Sequence, residues 1–184
     1  MSEGHMMKKI FLSLIFILGI SVTVAAEDTV IYSPREIAIA PSVLPYKWLY
    51  SEPEYFYNRG YNGNFALKMT AMGVLRLDEK KFAGKIVKFS AMIKAEDIMK
   101  QGGGVALQLR IREANGKLIC VSHVPESALF GTYDWKKVTT EAEIPADVKE
   151  VSIGIGIQGT MGTVYFSEPT ILVESMKDKQ VRNH

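Results

Sequence analysis

The chain is poor in the residues that metal centres and covalent catalysis use. Of its 184 residues one is cysteine and three are histidine. A single thiol, Cys120, cannot close an internal disulfide, so a hydrophobic core must hold the fold. Cys120 lies in the apolar run Leu118, Ile119, Cys120, Val121, which predicts a buried, inert side chain. His5 precedes the apolar leader and His184 is the last residue, leaving His123, which reads as a surface or turn residue. A histidine-rich zinc site and a Ser-His or Cys-His nucleophile pair therefore lack their parts. No GxSxG, HExxH or dinucleotide fingerprint occurs, and Gly102, Gly103 and Gly104 are not followed by the Lys-Ser/Thr of a phosphate loop. Charge of one sign is scarce too. Lys and Arg number 22 against 20 Asp and Glu, a net charge of +2. The two signs alternate along the chain with no basic stripe, so no nucleic-acid partner is expected.

One long apolar run is present, Ile10 to Val24. It is shorter than the ~20 residues a spanning helix needs. Lys8 and Lys9 precede it, and Val24, Ala25 and Ala26 close it in the form of a cleavage site. Residues 1–26 thus read as a secretory signal peptide. Met1–His5, ahead of a second start-like pair at Met6 and Met7, read as a cloning remnant. The expected location is secreted or periplasmic, with no stable membrane span once the signal is removed. No cysteine directly follows the run, which argues against a lipid anchor. Residues 27–175 are expected to form one domain, and 176–184 a polar tail that frays.

In the remaining chain, period-two alternation dominates. Val105, Leu107, Leu109 and Ile111 oppose Ala106, Gln108, Arg110 and Arg112. Val151, Ile153, Ile155 and Ile157 oppose Ser152, Gly154, Gly156 and Gln158. Asn64–Thr70 and Ile86–Lys94 alternate in the same way, and shorter strands are predicted at Trp135–Ala142, Thr163–Phe166 and Thr170–Glu174. Asn115-Gly116 between two strand-like runs predicts a tight hairpin turn, and Ala95–Lys100 a short helical turn. Strands with one apolar face each require two sheets packed face to face. The expected fold class is all-β: an antiparallel β-sandwich of jelly-roll type.

Several local motifs add to this pattern. Lys47-Trp48-Leu49-Tyr50 forms a tryptophan-containing entry before Glu54-Tyr55. Asn62-Gly63-Asn64-Phe65-Ala66-Leu67 is a small-residue turn running into Ala-Leu. Then come Gly84-Lys85 with Val87-Lys88-Phe89-Ser90-Ala91 and Ile93-Lys94-Ala95-Glu96-Asp97, the entry Gly131-Thr132-Tyr133-Asp134-Trp135, the turn Ile144-Pro145-Ala146-Asp147, and Gly162-Thr163-Val164-Tyr165-Phe166. In this order, from about Tyr46 to Glu174, they resemble the galactose-binding-domain-like jelly rolls, which include several carbohydrate-binding module families. The resemblance implies a jelly roll and a glycan or polysaccharide partner. Ser167-Glu168 stands where the group often has an Asp-Asp pair. Many members carry a structural calcium ion, which the resemblance leaves open. The residues show no alternating run of acidic oxygen ligands, so no cofactor is expected from them.

Aromatic side chains crowd one segment: Tyr46, Trp48, Tyr50, Tyr55, Phe56, Tyr57 and Tyr61, with Asn58, Arg59, Asn62 and Asn64 among or beside them. A sugar ring offers C–H faces to aromatic rings and hydroxyl edges to planar polar groups. Tyr55, Tyr57 and Tyr61 are the expected stacking residues, whereas Trp48, Phe56 and Trp135 are expected in the core. Gln108, Arg110, Arg112 and Gln158 are the expected polar contacts, beside a shallow trough over Ser152, Gly154 and Gly156. The arginine forks would favour an acidic or highly hydroxylated glycan. Glu52, Glu54, Glu96, Asp97 and Glu113 are the carboxylates a hydrolase would draw on. No two of them face each other on an expected strand, so no catalytic residue is expected. The expected function is a secreted, non-catalytic, carbohydrate-binding-module-like protein holding a glycan on the concave face of one sheet. The alternative is an envelope structural, sensor or protein-interaction domain without a sugar ligand, its tyrosines serving as a docking hot spot.

Overall fold

Strands that are apolar on one side must find a second sheet, and the computed structural model shows how they do so. It describes residues 29–32 and 48–175; the expected signal peptide, the tail and Tyr46 lie outside these. Eleven strands run in chain order: β1 Thr29–Tyr32, β2 Trp48–Leu49, β3 Glu54–Phe56, β4 Ala66–Met69, β5 Gly73–Leu77, β6 Lys85–Ile98, β7 Gly104–Arg112, β8 Leu118–Ser122, β9 Gly131–Glu143, β10 Glu150–Gln158 and β11 Thr163–Ser175. A six-stranded sheet is ordered β3-β4-β11-β6-β9, with β1 also paired to β11. A five-stranded sheet is ordered β2-β5-β10-β7-β8. Every pairing is antiparallel. The result is the all-β jelly-roll sandwich expected from the alternation.

The core follows from the period of two. Phe89, Ile93 and Phe166 from the larger sheet, and Leu107, Leu109 and Ile155 from the smaller, are all fully buried in one cluster. The register pairs Leu107 with Ile155 and Leu109 with Ile153, so adjacent strands send apolar residues to the same side. Phe82, also fully buried, enters the core after a short 3-10 turn at Glu79–Lys81.

Three expectations are corrected here. Ala95–Ile98 is not a helical turn but the end of β6, where Ala95 and Glu96 pair with Val164 and Thr163. Hydrogen bonding to β11 outweighs the helical propensity of Ala-Glu. The two strands expected at Thr163–Phe166 and Thr170–Glu174 are one, β11, with an irregularity between Ser167 and Thr170. Pro169 has no N–H for the ladder, and Glu168 takes φ 51° to let the strand pass. The strand's two halves serve different neighbours on one side, β4 before the kink and β1 after it. The trough over β10, finally, is covered. A Cβ on Gly156 would stand 2.1 Å from the Ala71 carbonyl oxygen, so the Ala71–Met72 segment lies directly upon it. Gly154 sits beneath the Met72 sulfur, the stem of Arg110 and the side-chain amide oxygen of Gln108. Small residues here admit the chain's own segments rather than leaving an open channel.

The hairpin at Asn115-Gly116 forms as expected. Gly116 N–H donates to the Glu113 carbonyl at 2.9 Å, and Gly116 adopts φ 87°, which a residue with a Cβ resists.

Replacing buried Leu107 by Ala is expected to lower stability by about 2–5 kcal/mol, whereas Ser122→Ala on the outer face should change it by less than about 0.5 kcal/mol. Urea denaturation of the two variants checks the assigned faces; equal losses would contradict them.

Candidate functional site

The register of β3 separates its aromatic residues. Tyr55 pairs with fully buried Leu67 and turns toward the core, while Glu54 and Phe56 point outward with Lys68. Tyr55 is thereby taken from the expected stacking set. Its hydroxyl and the Trp48 indole nitrogen are both buried without a well-formed hydrogen bond. Burial raises the Tyr55 pKa above 10.0, an effect partly offset by the nearby Trp48 N–H. Trp48 itself is buried, as expected.

After β3 the chain folds back over the outer face of the larger sheet. Ser167 Oγ fixes this return: it accepts from the Tyr61 N–H at 3.1 Å and donates to the Phe65 carbonyl at 2.8 Å. Gly60 is required there, because a Cβ would meet the Phe65 carbonyl oxygen at 2.2 Å. The fold-back brings the Tyr61 ring edge-on to Trp135, with centroids 6.4 Å apart. Tyr57 stays 73% exposed at the start of the loop.

Trp135 is not in the core. The β6–β9 pairing slips between Ile93–Lys136 and Ala95–Tyr133, and Trp135 lies inside that slip. The irregularity turns Tyr133 back toward the core. Lys136 pairs with buried Ile93 and so takes the inner side, which by alternation leaves Trp135 facing outward. There, half-buried, it lines a cleft of about 220 Å³ with Phe56, Arg59, Lys94, Glu96 and Tyr165. Phe56, expected in the core, is likewise a half-buried wall of this cleft.

The polar groups of the cleft are held by one another. Tyr165 OH donates to Glu96 Oε2 at 3.0 Å, and Lys94 Nζ stands 3.5 Å from Glu96 Oε1. Burial, and then the hydrogen bond to Glu96, raise the Tyr165 phenol above 10.0, so it stays a neutral donor at ordinary pH. The Arg59 guanidinium lies 5.7 Å from the centre of the Phe56 ring, and Lys68 Nζ 5.8 Å from it. Lys68 is also ion-paired to Glu54 at 3.2 Å. Aromatic walls with planar donors and acceptors at their edges suit a ligand with both apolar faces and hydroxyl edges. The cleft is smaller than the ~300–1,000 Å³ of pockets that enclose small molecules. It therefore suits part of a chain lying across it.

The remaining expected residues sit on the opposite sheet. Gln108 on β7 and Gln158 on β10 do come together, Nε2 to Oε1 at 3.3 Å, and Arg110 Nη1 donates to Gln108 Oε1 at 3.4 Å. Gln108, Gln158 and Ser122 line a depression of about 340 Å³ floored by Ala106 and the Gly102–Gly104 turn. Arg112 is drawn away toward Glu150, at 3.8 Å, and the Gly116 carbonyl, at 3.2 Å. The single groove expected from tyrosines plus Gln108 and Arg110 is thus not formed: the two sets occupy opposite outer faces. Lys94, Glu96 and Tyr165 were not foreseen as one constellation. Carrying the alternation of β6 past Lys94 to Glu96 would have placed both on the outer face, and the same rule places Tyr165 between inward Val164 and Phe166.

Three of the candidate carboxylates are held by other groups. Glu54 and Glu96 are paired as above, and Asp97 accepts from the Thr132 hydroxyl at 3.0 Å. Among the described residues no group of three or more His, Cys, Asp or Glu is placed to hold a metal ion. His123 is exposed, as expected, with Nδ1 3.3 Å from Thr140 Oγ1.

No protein-family model and no curated protein matches the sequence. Solved structures do match the fold. The C-terminal family 22 carbohydrate-binding module of Clostridium thermocellum Xyn10B superposes with a TM-score of 0.57 at 16% identity, over 80% of this chain and 96% of that one. A xylan-binding domain of the same module family gives 0.58 at 14% identity, over 78% and 94%. The xylan-binding CBM22-1 domain of Paenibacillus barcinonensis Xyn10C gives 0.54 at 11%, over 71% and 86%. What this chain shares with them is the jelly-roll β-sandwich fold.

Cys120 corrects one further expectation. It is exposed, because β8 is an edge strand whose residues alternate outward, and Cys120 pairs with outward-facing Arg110. The apolar run around it is only one strand deep: Ile119 packs on the core while Leu118 stays 40% exposed. The folded protein is expected to give one thiol equivalent with a disulfide reagent in the absence of denaturant; reaction only after unfolding would contradict this placement.

Proposed function

We propose that this protein is a non-catalytic glycan-binding module that holds a β-linked polysaccharide of the xylan class across the outer face of its six-stranded sheet. The observation that carries the reading is the outward Trp135 beside Phe56 and Tyr165, in a cleft edged by Arg59, Lys94 and Glu96. Trp135 and Phe56 stack on sugar faces, and Tyr61 steadies the indole from its edge. Arg59, Lys94 and Glu96 bond hydroxyls. The fold shared with xylan-binding modules supports the same reading. So does the engagement of Glu54, Glu96 and Asp97 in structural pairs. The reading includes export, on the strength of Lys8, Lys9 and the apolar run that follows.

A second reading keeps the fold but replaces sugar by an envelope protein. Tyr50, 84% exposed, and Tyr57, 73% exposed, favour it as unpartnered aromatic surface. Pull-down from envelope extract separates the two: a stoichiometric protein partner indifferent to added xylan supports the second.

Titration calorimetry with xylohexaose tests the first. Trp135→Ala is expected to weaken binding by about tenfold or more, the scale of one buried aromatic contact, whereas Gln108→Ala on the opposite sheet should leave it unchanged. The converse, loss with Gln108→Ala and none with Trp135→Ala, would move the site to the depression between Gln108 and Gln158.

A further inference from the structure

Three charged side chains line the Trp135 cleft: Arg59, Lys94 and Glu96. Two of them neutralise each other, Lys94 and Glu96, at 3.5 Å. Glu96 also accepts from Tyr165. The nearest further pair, Lys68 and Glu54, is closed at 3.2 Å. Arg59 is the exception. Among the described residues it forms no ion pair; its guanidinium lies over the Phe56 ring and close enough to Tyr165 to act on that phenol. The ring contact restricts the guanidinium over the aromatic wall without consuming any of its five N–H donors. The cleft therefore carries one uncompensated, partly oriented cation beside the stacking residues.

We infer that the glycan held in this cleft bears an occasional carboxylate, a uronic acid substituent on an otherwise neutral backbone, and that Arg59 is the group that receives it. This rests on the glycan-binding reading above. A planar guanidinium meets a carboxylate through two parallel N–H···O bonds, a match that a neutral hydroxyl cannot reproduce. One free cation fits one sparse anion. The further carboxylates of a polymer charged at every residue would find no free cation, because Lys94 and Lys68 are already paired with Glu96 and Glu54. The ligand class is thus a sparsely acidic polysaccharide rather than a polyuronide.

The test compares three probes by affinity electrophoresis and calorimetry: glucuronoxylan, the same polymer with its carboxyl groups reduced to alcohols, and polygalacturonate. Glucuronoxylan is expected to bind about three- to tenfold more tightly than its reduced form at low salt, the scale of one partly exposed charged contact. The advantage should shrink as salt is added, because screening acts on the charged form alone. Arg59→Gln weakens binding to both polymers but brings their ratio close to one. Lys149→Gln, which removes an exposed cation beside β10 on the other sheet, leaves the ratio as in the parent. Circular dichroism confirms that each variant is folded. Equal affinity of the parent for the acidic and reduced polymers overturns the carboxylate assignment and leaves the glycan-binding reading intact. A ratio that survives Arg59→Gln overturns the role of Arg59. Tighter binding of polygalacturonate than of glucuronoxylan overturns the sparse-anion assignment, and failure of every probe to bind overturns the reading on which all of this depends.

Discussion

Burial of Phe89, Ile93 and Phe166 in one core with Leu107, Leu109 and Ile155 fixes the position of every outward side chain. In a strand the choice is binary: if Phe166 points in, Tyr165 points out. The cleft is a product of that constraint. Tyr165, Lys68 and Lys94 lie side by side on three adjacent strands because their neighbours Phe166, Leu67 and Ile93 are committed to the interior. No separate folding instruction is needed to bring them together. A one-residue slip of β11 would bury Tyr165 and expose Phe166, losing core and cleft at once.

A local exception, the loop after β3, is what turns a flat outer sheet into a cleft. Alternation through Val138 and Lys136 turns Trp135 outward, and the loop through Gly60 folds Arg59 and Tyr61 back toward it. Ser167 ties that loop down with two hydrogen bonds. On the smaller sheet the exceptions act the other way. Glycines at 154 and 156 let Arg110, Gln108 and the Ala71–Met72 segment settle onto β10, so its outer face is occupied by the chain itself.

The long strands were legible in the sequence because each repeats its pattern over several residues. Val105–Arg112 and Val151–Gln158 could be assigned their inner faces from composition alone, and the structure places Leu107 and Ile155 as that pattern requires. The site was less legible. Which sheet a strand joins depends on long-range pairing that no local pattern records, so Tyr57 and Gln108 could not be assigned to opposite faces in advance. Trp135 was misplaced because a large aromatic entering a strand usually goes inward, whereas the alternation that buries Val138 and Thr140 sets it on the outer side. Cys120 was misplaced because a short apolar run reads alike for a buried strand and an edge strand. Phe56 turned outward because Tyr55, one residue away, took the inner position beside Leu67.

The central claim is that the outer face of the six-stranded sheet is the binding surface. Mapping amide and indole chemical shifts of the labelled protein during titration with xylohexaose tests it most directly. The account predicts that the perturbed signals centre on the Trp135 indole, Arg59, Lys94 and Tyr165, while Gln108, Ser122 and Gln158 stay still. Perturbations centred on Gln108 and Gln158, with the Trp135 indole unmoved, would contradict it.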